Sequence, residues 1–364
     1  MQLIYFPHLM LGNIDELSYG NINIWNFQKK SAEYIPDETL RNKLKALLAI
    51  NKYGGQPIQD MGIFSIGDID FRDATPQDIN TANEIKLILF LTYLAQNNVT
   101  AQGANAGLRI ATSENFLYVV QNFHLESDYI SESSGYIVNR TVGGYKVGEI
   151  SFIAPPYVLK PLGLVFDSDL TTTLLRLKTE DSILYSRILR ATDLLFQSYF
   201  NNSEVSLNAR ILLQVGALEV LLDLPPEKQR SRLKEAVEKL TSLPTDPVET
   251  YQYEIRPGTF QTETRSIKVK WADRFYSLRN HIIHGNEVAS SEFVFASQRH
   301  FDIATMFFVL LTEKRLNDRF REKVFYDQIE WNKYKDEDWV DHDGFIFYDG
   351  SLAKYFATSR DNNT

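Results

Sequence analysis

Apolar residues recur with the spacing of an amphipathic helix along most of the second half of the chain. Positions three and four apart share one face of a helix, so each such run predicts a helix with a buried side. The predicted helical segments cover residues 179–201, 204–223, 227–242, 266–285 and 291–324. A segment with three prolines, residues 244–264, interrupts the series. The pattern predicts an all-α, up-and-down bundle of four or five helices over residues 173–326.

Residues 1–172 follow a different pattern, in which strand-like runs flank a single long helix. The runs MQLIYF and GEISFIAPPYVL are rich in β-branched and aromatic residues, which favour strands. Between them, TPQDINTANEIKLILFLTYLAQNN predicts a helix with Thr75 as N-cap, Pro76 at its first position and Asp78 completing a capping box. The Gly-Gly pair in NRTVGGYKVGEI predicts a turn between two further strand-like runs. This part of the chain is therefore predicted to be an α+β domain.

The last part of the chain, residues 327–364, is an acidic and aromatic tail. Residues 327–350 carry two basic and eight acidic side chains, whereas residues 265–323 carry eleven basic and seven acidic ones. A mildly basic bundle suits a phosphate-bearing ligand. The tail is predicted to be an ordinary solvated arm, and the alternative is that it covers a basic cleft on the bundle.

Composition excludes several classes of chemistry. The chain of 364 residues has no cysteine, which removes thiol catalysis, disulfides and Cys-based metal sites. Its net charge of −9 argues against a protein that coats nucleic acid non-specifically. The run MQLIYFPHLM lacks the features of a secretory signal, and IKLILFLTYLA is too short to span a membrane. We therefore expect a cytoplasmic protein without a membrane partner.

The clearest candidate for chemistry is the stretch FYSLRNHIIHGNEV, residues 275–288. A helical wheel places an apolar stripe (Trp271, Phe275, Leu278, Ile282) opposite a polar face (Asp273, Ser277, Asn280, His284). Gly285 predicts a left-handed C-cap, so His284 lies in the last turn, where the helix dipole favours a cation by about 0.3–1 kcal/mol. Arg279 can clamp phosphate oxygens, and a histidine can transfer a proton near neutral pH. These residues predict a cationic site for a phosphodiester.

Two other interpretations fit the same residues. A histidine before a C-capping glycine is a common helix terminator, and a nearby arginine is commonly only solvated. Alternatively, His281 and His284 hold a metal ion together with acidic groups from the first domain, as in a metal-dependent hydrolase. Two ligands do not make a metal site, and the H-x-x-H spacing lacks the acidic partner of zinc motifs. We therefore predict neither a metal nor a cofactor here.

Glu219 lies in ARILLQVGALEVLLDL, residues 209–224, a helix that is apolar on almost every side. A buried carboxylate is costly unless a hydrogen bond or an opposite charge compensates it. We therefore predict that Glu219 pairs with Arg279 or Arg210. The alternative is that Glu219 lies at an exposed seam without a specific partner.

The sequence LRNHIIHG resembles the R-x4-6-H signature of HEPN domains, in the form R-N-x-x-x-H-G of the bacterial Apea-like HEPN subgroup. Two flanking elements are also similar to that family. ARILLQVGALEVLLDL is similar to its earlier helix with an A-L-E-x-L core, and EFVFASQRHFDIATMFFVLLTEKRL to the long helix that closes its bundle. The three elements occur in the family's order, and the resemblance covers about residues 175–325.

The resemblance implies a HEPN-like bundle that forms a homodimer, in which two signature helices face each other across a two-fold axis. It implies a metal-independent endoribonuclease with Arg279, Asn280 and His284 as catalytic residues and with Glu219 and His281 in support. The 2′-hydroxyl of RNA would attack the adjacent phosphorus, with His284 as general base or acid. Arg279 would stabilise the phosphorane, and the Asn280/His284 face of the helix would form the dimer interface.

The same resemblance suggests a biological role in phage defence or toxin-like RNA cleavage. The α+β domain would then sense a trigger or select the RNA. Some HEPN domains are catalytically inactive and only dimerise or bind nucleotides, which gives the alternative function for this chain. RNA cleavage that leaves a 2′,3′-cyclic phosphate distinguishes the two.

Overall fold

The computed structural model describes residues 2–9, 11, 15–19, 22–58, 61–66, 72–100, 112–123, 129–130, 133–134, 145–146, 152–153, 166–200, 205–241, 248–256, 258–295 and 298–320. The chain divides into two compact units. The first comprises Met1–Asn97, Arg109–Thr171 and Tyr199–Asn202, and the second comprises Asn98–Leu108, Thr172–Ser198 and Ser203–Thr364. The first unit mixes strands with helices and the second is mainly helical, which confirms the predicted order of an α+β part followed by a helical part.

The described strands of the first unit form one main sheet and two small ones. In chain order they are β1 (Gln2–Phe6), β2 (Glu16–Tyr19), β3 (Ile22–Asn26), β4 (Asn51–Tyr53), β5 (Gln56–Pro57), β6 (Gly62–Ile66), β7 (Val119–Asn122), β8 (Tyr129–Ile130), β9 (Ser133–Ser134), β10 (Tyr145–Lys146) and β11 (Phe152–Ile153). The main sheet is antiparallel, in the order β2-β3-β6-β1-β7-β9. Strand β11 pairs with β4, which also pairs with β5, and β8 pairs with β10.

Two of the strand predictions are confirmed where the structure describes them. The run MQLIYF forms β1, and within GEISFIAPPYVL the described residues form β11. The predicted Gly-Gly turn lies outside the described residues.

Three helices belong to the first unit: α1 (Phe27–Tyr34), α2 (Glu38–Leu48) and α3 (Pro76–Thr100). Helix α3 confirms the long predicted helix and its capping box, because the Thr75 backbone N–H donates to Asp78 Oδ2 at 2.8 Å and the Asp78 N–H donates to Thr75 Oγ1 at 3.3 Å. The sequence analysis missed α1 and α2. Their apolar side chains join strand residues such as Tyr5 and Trp25 in one buried cluster.

The second unit contains six helices among its described residues. They are α4 (Ser168–Glu180), α5 (Ser182–Ser198), α6 (Leu207–Leu222), α7 (Gln229–Thr241), α8 (Ile267–Ile283) and α9 (His300–Phe320). The five predicted helical segments correspond to α5 to α9, and α4 precedes them as a separate helix. The prediction for residues 291–324 begins too early, because the described residues before His300 form a 3-10 turn and a short pair of strands. Several consecutive helices run antiparallel: Arg187 of α5 pairs with Asp223 just after α6, and the Lys268 ammonium of α8 donates to the Thr241 carbonyl oxygen at the end of α7.

The segment with three prolines contains a β-hairpin that the sequence analysis did not predict. Strand β12 (Val248–Arg256) pairs antiparallel with β13 (Thr259–Ser266). The reversal is made near Gly258, whose φ of +77° is a backbone conformation that favours glycine. Ser266 ends the hairpin and caps α8, since its hydroxyl oxygen accepts from the Val269 N–H. The hairpin therefore leads directly into the helix that carries the candidate site.

Short elements complete the connection between α8 and α9. A single 3-10 turn covers Ser290–Phe293, and β14 (Val294–Phe295) pairs with β15 (Gln298–Arg299). The predicted acidic tail, residues 327–364, lies outside the described residues. Within the part of the chain that is described, no helix combines the length and the apolar character needed to cross a bilayer.

Aromatic stacking fixes one side of α8 against α9. Trp271 stacks on Phe307 with ring centroids 4.4 Å apart, and Phe275 stacks on His300 at 5.5 Å. All four side chains are buried. Burial, with a smaller contribution from the charge of Arg274, lowers the pKa of His300 to about 4, so its imidazole is neutral at pH 7.

A buried ion pair fixes the other side of α8 against α7 and the hairpin. Asp273 is only 1% exposed, and both of its carboxylate oxygens accept hydrogen bonds from Arg230, at 2.9 and 2.8 Å. Lys234 lies 3.5 Å from the same carboxylate and 4.4 Å from the ring centroid of Tyr253 in β12, and it donates to Glu263 in β13. Breaking a buried pair by removing one partner costs about 3–5 kcal/mol, so Asp273 strongly favours this placement of α8.

Candidate functional site

The candidate site is the C-terminal turn of α8, residues 279–285. The predicted left-handed cap is confirmed, since Gly285 has a φ of +70°. The Asn286 N–H donates to the His281 carbonyl at 3.0 Å, and the Gly285 N–H donates to the Ile282 carbonyl at 3.1 Å. This pair of bonds is the Schellman motif, which satisfies carbonyls that the helix end would otherwise leave unpaired. The motif gives His284, the residue before the glycine, a defined backbone position.

Arg279 and Asn280 lie side by side on this turn, and both are half-buried. The Arg279 guanidinium donates to the Asn280 side-chain oxygen, with Nη1 and Oδ1 3.1 Å apart. Its Cζ lies 5.2 Å from the ring centroid of Tyr276, within the range of a cation–π contact. The amide and the aromatic ring hold the guanidinium at the helix surface, where its remaining N–H groups can donate hydrogen bonds to an anionic ligand.

The described histidines differ in their capacity to carry a proton at neutral pH. His8 and His300 are buried, and burial lowers the pKa of each to about 4. His284 is exposed, and among the described residues its imidazole has no hydrogen-bond partner. Of these three, only His284 is placed to exchange protons with a ligand from solvent.

His281 is exposed and is held by a neighbouring acid. Its Nδ1 lies 2.8 Å from Glu292 Oε2, and the other carboxylate oxygen of Glu292 accepts from the Ala289 N–H at 3.2 Å. The hydrogen bond from His281 is the main reason that the pKa of Glu292 lies below its usual value. This contact pins the loop that follows α8 onto the helix end.

Glu219 has a different partner from the predicted one. Its described side-chain hydrogen bond is not with Arg279. Instead, the Tyr276 hydroxyl donates to Glu219 Oε1 at 3.0 Å, and it also lies 2.9 Å from Gln229 Oε1. The carboxylate is half-buried and is compensated by a neutral donor. Sequence reasoning missed Tyr276 and Gln229, although the spacing of a tyrosine three residues before Arg279 on a helix is suitable for a side-chain contact.

The predicted free polar face of α8 is shorter than the helical wheel indicates. Asp273 is buried and Ser277 is half-buried, and the Ser277 hydroxyl donates to the Asp273 carbonyl. Helix α7 and the hairpin cover that part of the face through the Asp273 ion pair. The accessible portion consists of half-buried Asn280 and exposed His284, whose N–H donates to the Asn280 carbonyl one turn earlier. Arg279 directly precedes Asn280 and is half-buried.

Apolar side chains accompany the polar ones at this end of α8. Ile283 is 50% exposed and Val294 is 42% exposed, although both are large and apolar. Ile283 directly precedes His284 in the chain, and Val294 lies on the short strand that follows the loop after α8. Exposed large apolar side chains occur on surfaces that bind a partner.

The described residues contain no group of three or more His, Cys, Asp or Glu side chains arranged to hold a metal ion. No protein-family model matches the chain, and no curated protein or solved structure is significantly similar to it. The roles of Arg279, Asn280 and His284 are therefore proposals that follow from their geometry and from the resemblance of the signature.

The left-handed cap can be tested by comparing two glycines. Gly285→Ala should lower the free energy of unfolding by about 1 kcal/mol, because a side chain at a φ of +70° is strained even though a Cβ would meet no atom within 4 Å. Gly216→Ala, inside α6, should instead be neutral or stabilise by up to about 1 kcal/mol, since its Cβ would make only an ordinary contact with Leu194 at 3.6 Å. Urea unfolding followed by circular dichroism measures both. Equal effects of the two substitutions would contradict the cap.

Proposed function

We propose that this chain is a metal-independent endoribonuclease of the HEPN type that acts as a homodimer. The observation that carries the proposal is that Arg279, Asn280 and His284 lie within six residues at the accessible end of α8, with the guanidinium held 3.1 Å from the amide oxygen. The order and spacing of these residues resemble the family signature. The further proposal of a role in phage defence or toxin-like RNA cleavage rests on that resemblance alone.

Each of the three side chains has a separate role in the proposed reaction. One His284 imidazole takes the proton from the RNA 2′-hydroxyl while O2′ attacks the adjacent phosphorus. The Arg279 guanidinium donates to the phosphate oxygens as charge accumulates on the phosphorane, and Asn280 orients Arg279. The P–O5′ bond then breaks, and a protonated imidazole supplies the proton to O5′. The products are a 2′,3′-cyclic phosphate and a 5′-hydroxyl.

Two imidazoles are needed if one removes a proton while another delivers one. Each protomer offers a single exposed, unpaired histidine on this turn among its described residues, His284. A two-fold axis beside the turn would supply the second from the partner subunit. The exposed side chain of Ile283, which directly precedes His284 in the chain, provides apolar area for such a contact. We therefore propose a dimer through the Asn280/His284 face.

RNA cleavage in EDTA tests the catalytic proposal. Wild-type protein should cut single-stranded RNA and leave 2′,3′-cyclic phosphate ends, and it should not cut the 2′-deoxy analogue. His284→Ala and Arg279→Ala should each lower kcat by about 10²–10³, because each removes a group that acts in the transition state. Arg232→Ala provides the matched control, since Arg232 is a half-exposed α7 residue paired with Glu235. It should cut at the wild-type rate.

The other outcomes distinguish the competing functions. Intact RNA with a retained dimer would overturn the catalytic proposal and indicate a dimerisation or nucleotide-binding module. Cleavage that EDTA abolishes and that a divalent metal restores would indicate a metal-dependent hydrolase instead.

The dimer surface can be tested with a pair of isoleucines. Ile283→Lys should shift the protein from dimer to monomer in sedimentation velocity, because it places a charge at the proposed apolar contact. Ile183→Lys is the control: Ile183 is 74% exposed and lies on α5, beside Asp181, which accepts from Arg319 near the end of α9. Phe275 instead packs at the start of α9, so the two isoleucines lie at opposite ends of that helix. A dimer that survives Ile283→Lys but not Ile183→Lys would place the interface elsewhere.

A further inference from the structure

Three helices converge on one buried tyrosine beneath the proposed catalytic arginine. Tyr276 of α8 is 4% exposed. Its hydroxyl lies 3.0 Å from Glu219 of α6 and 2.9 Å from Gln229 of α7, and Arg279 lies over its ring. Burial and the nearby Glu219 charge raise the pKa of Tyr276 to about 12. The hydroxyl therefore stays protonated at neutral pH and can donate a hydrogen bond.

The tyrosine lies between groups of opposite charge that would otherwise attract each other. Glu219 accepts a hydrogen bond from the hydroxyl end of Tyr276, whereas the Arg279 guanidinium contacts the ring face. Both groups are half-buried, where attraction between unit charges is stronger than in water. A guanidinium bound to a carboxylate has its N–H donors occupied and its charge neutralised. Such an arginine would be a poor ligand for a phosphate.

We propose that Tyr276 is a positioning residue that separates Arg279 from Glu219 and presents the guanidinium to the RNA phosphate, an inference that rests on the proposed ribonuclease function. Two contacts define its action. The Glu219 carboxylate and the Gln229 amide fix the hydroxyl end of the side chain, and the ring face then supports Arg279 from below. Glu219 thus acts on catalysis through the tyrosine, without an ion pair to the arginine.

If Tyr276 keeps Arg279 and Glu219 apart, the effect of removing its ring should depend on the charge of Glu219. When the ring is removed, Arg279 can turn toward the Glu219 carboxylate and form the ion pair that the tyrosine prevents. The loss of activity should then depend on the negative charge of Glu219. If Tyr276 served only to fill space in the helical unit, the charge of Glu219 would have no influence on the loss.

A double-mutant cycle between Tyr276 and Glu219 tests the inference on the full-length protein with single-stranded RNA as substrate. Tyr276→Leu should lower kcat by at least about tenfold, because it misplaces the guanidinium in the transition state. Glu219→Gln removes the charge but keeps an oxygen that accepts from the tyrosine. It should raise kcat at least about fivefold more in the Tyr276→Leu background than in the wild-type background. Tyr276→Phe, which keeps the ring, should lose less activity than Tyr276→Leu.

Phe275→Leu provides the matched control. Phe275 directly precedes Tyr276, and its buried ring stacks on His300. Its loss should not be relieved by Glu219→Gln. Should Tyr276→Leu fail to fold by circular dichroism, Tyr276→Met fills more of the space and takes its place in the cycle. An active wild-type enzyme in which Glu219→Gln has the same effect in both backgrounds overturns the inference alone. A wild-type protein that cuts no RNA overturns the proposed function and the inference together.

Discussion

The arrangement of the candidate site depends on how the body of α8 is held from two sides. Trp271 and Phe275 stack on α9, and the Asp273 carboxylate accepts two hydrogen bonds from Arg230 of α7. Stacked rings resist sliding of the helix, and a bidentate ion pair in a buried position resists rotation about its axis. Because both constraints act before residue 279, the last turn of α8 emerges in one orientation. The backbone positions of Arg279, Asn280 and His284 therefore depend on contacts made earlier in the helix.

The charged side chains of α8 differ in whether an opposite charge compensates them. The anionic group at Asp273 is buried and compensated by Arg230 and Lys234, whereas the cationic Arg279 near the end is compensated by no carboxylate among the described residues. Tyr276 lies between Asp273 and Arg279 in the chain, and its neutral hydroxyl donates a hydrogen bond to Glu219. The histidines follow the same division. The buried His300 is neutral because burial lowers its pKa to about 4, and His284 is exposed to solvent.

Local patterns predicted the helices and their ends well, because both depend on neighbouring residues. The 3.6-residue period identified the segments that form α5 to α9, and Gly285 and the Thr75–Asp78 capping box mark helix ends as expected. Tertiary partners were beyond the reach of such patterns. Asp273 was assigned to a solvent-facing side because a helical wheel sorts residues by polarity, whereas Arg230 comes from another helix. Glu219 was given an arginine because a charged partner was expected for a carboxylate, whereas Tyr276 is a neutral donor on another helix.

The hairpin between α7 and α8 shows a second limit of the sequence patterns. Three prolines interrupt the helical pattern, yet Val248–Arg256 and Thr259–Ser266 of the same segment pair as strands. Tyr253 and Glu263 contact Lys234, so the hairpin belongs to the same network that buries Asp273. The segment is therefore part of the support of α8. Its strands gain their stability from that tertiary contact as well as from their own pairing.

The central claim is that the C-terminal turn of α8 meets its own copy across a two-fold axis. The chain contains no cysteine, so Asn286→Cys, directly after Gly285, accepts a single nitroxide label per protomer. Electron–electron double resonance should then give one narrow distance that is shorter than the distance from a label at Ile183→Cys on α5. Absence of dipolar coupling from position 286, or a shorter distance from position 183, would contradict the account.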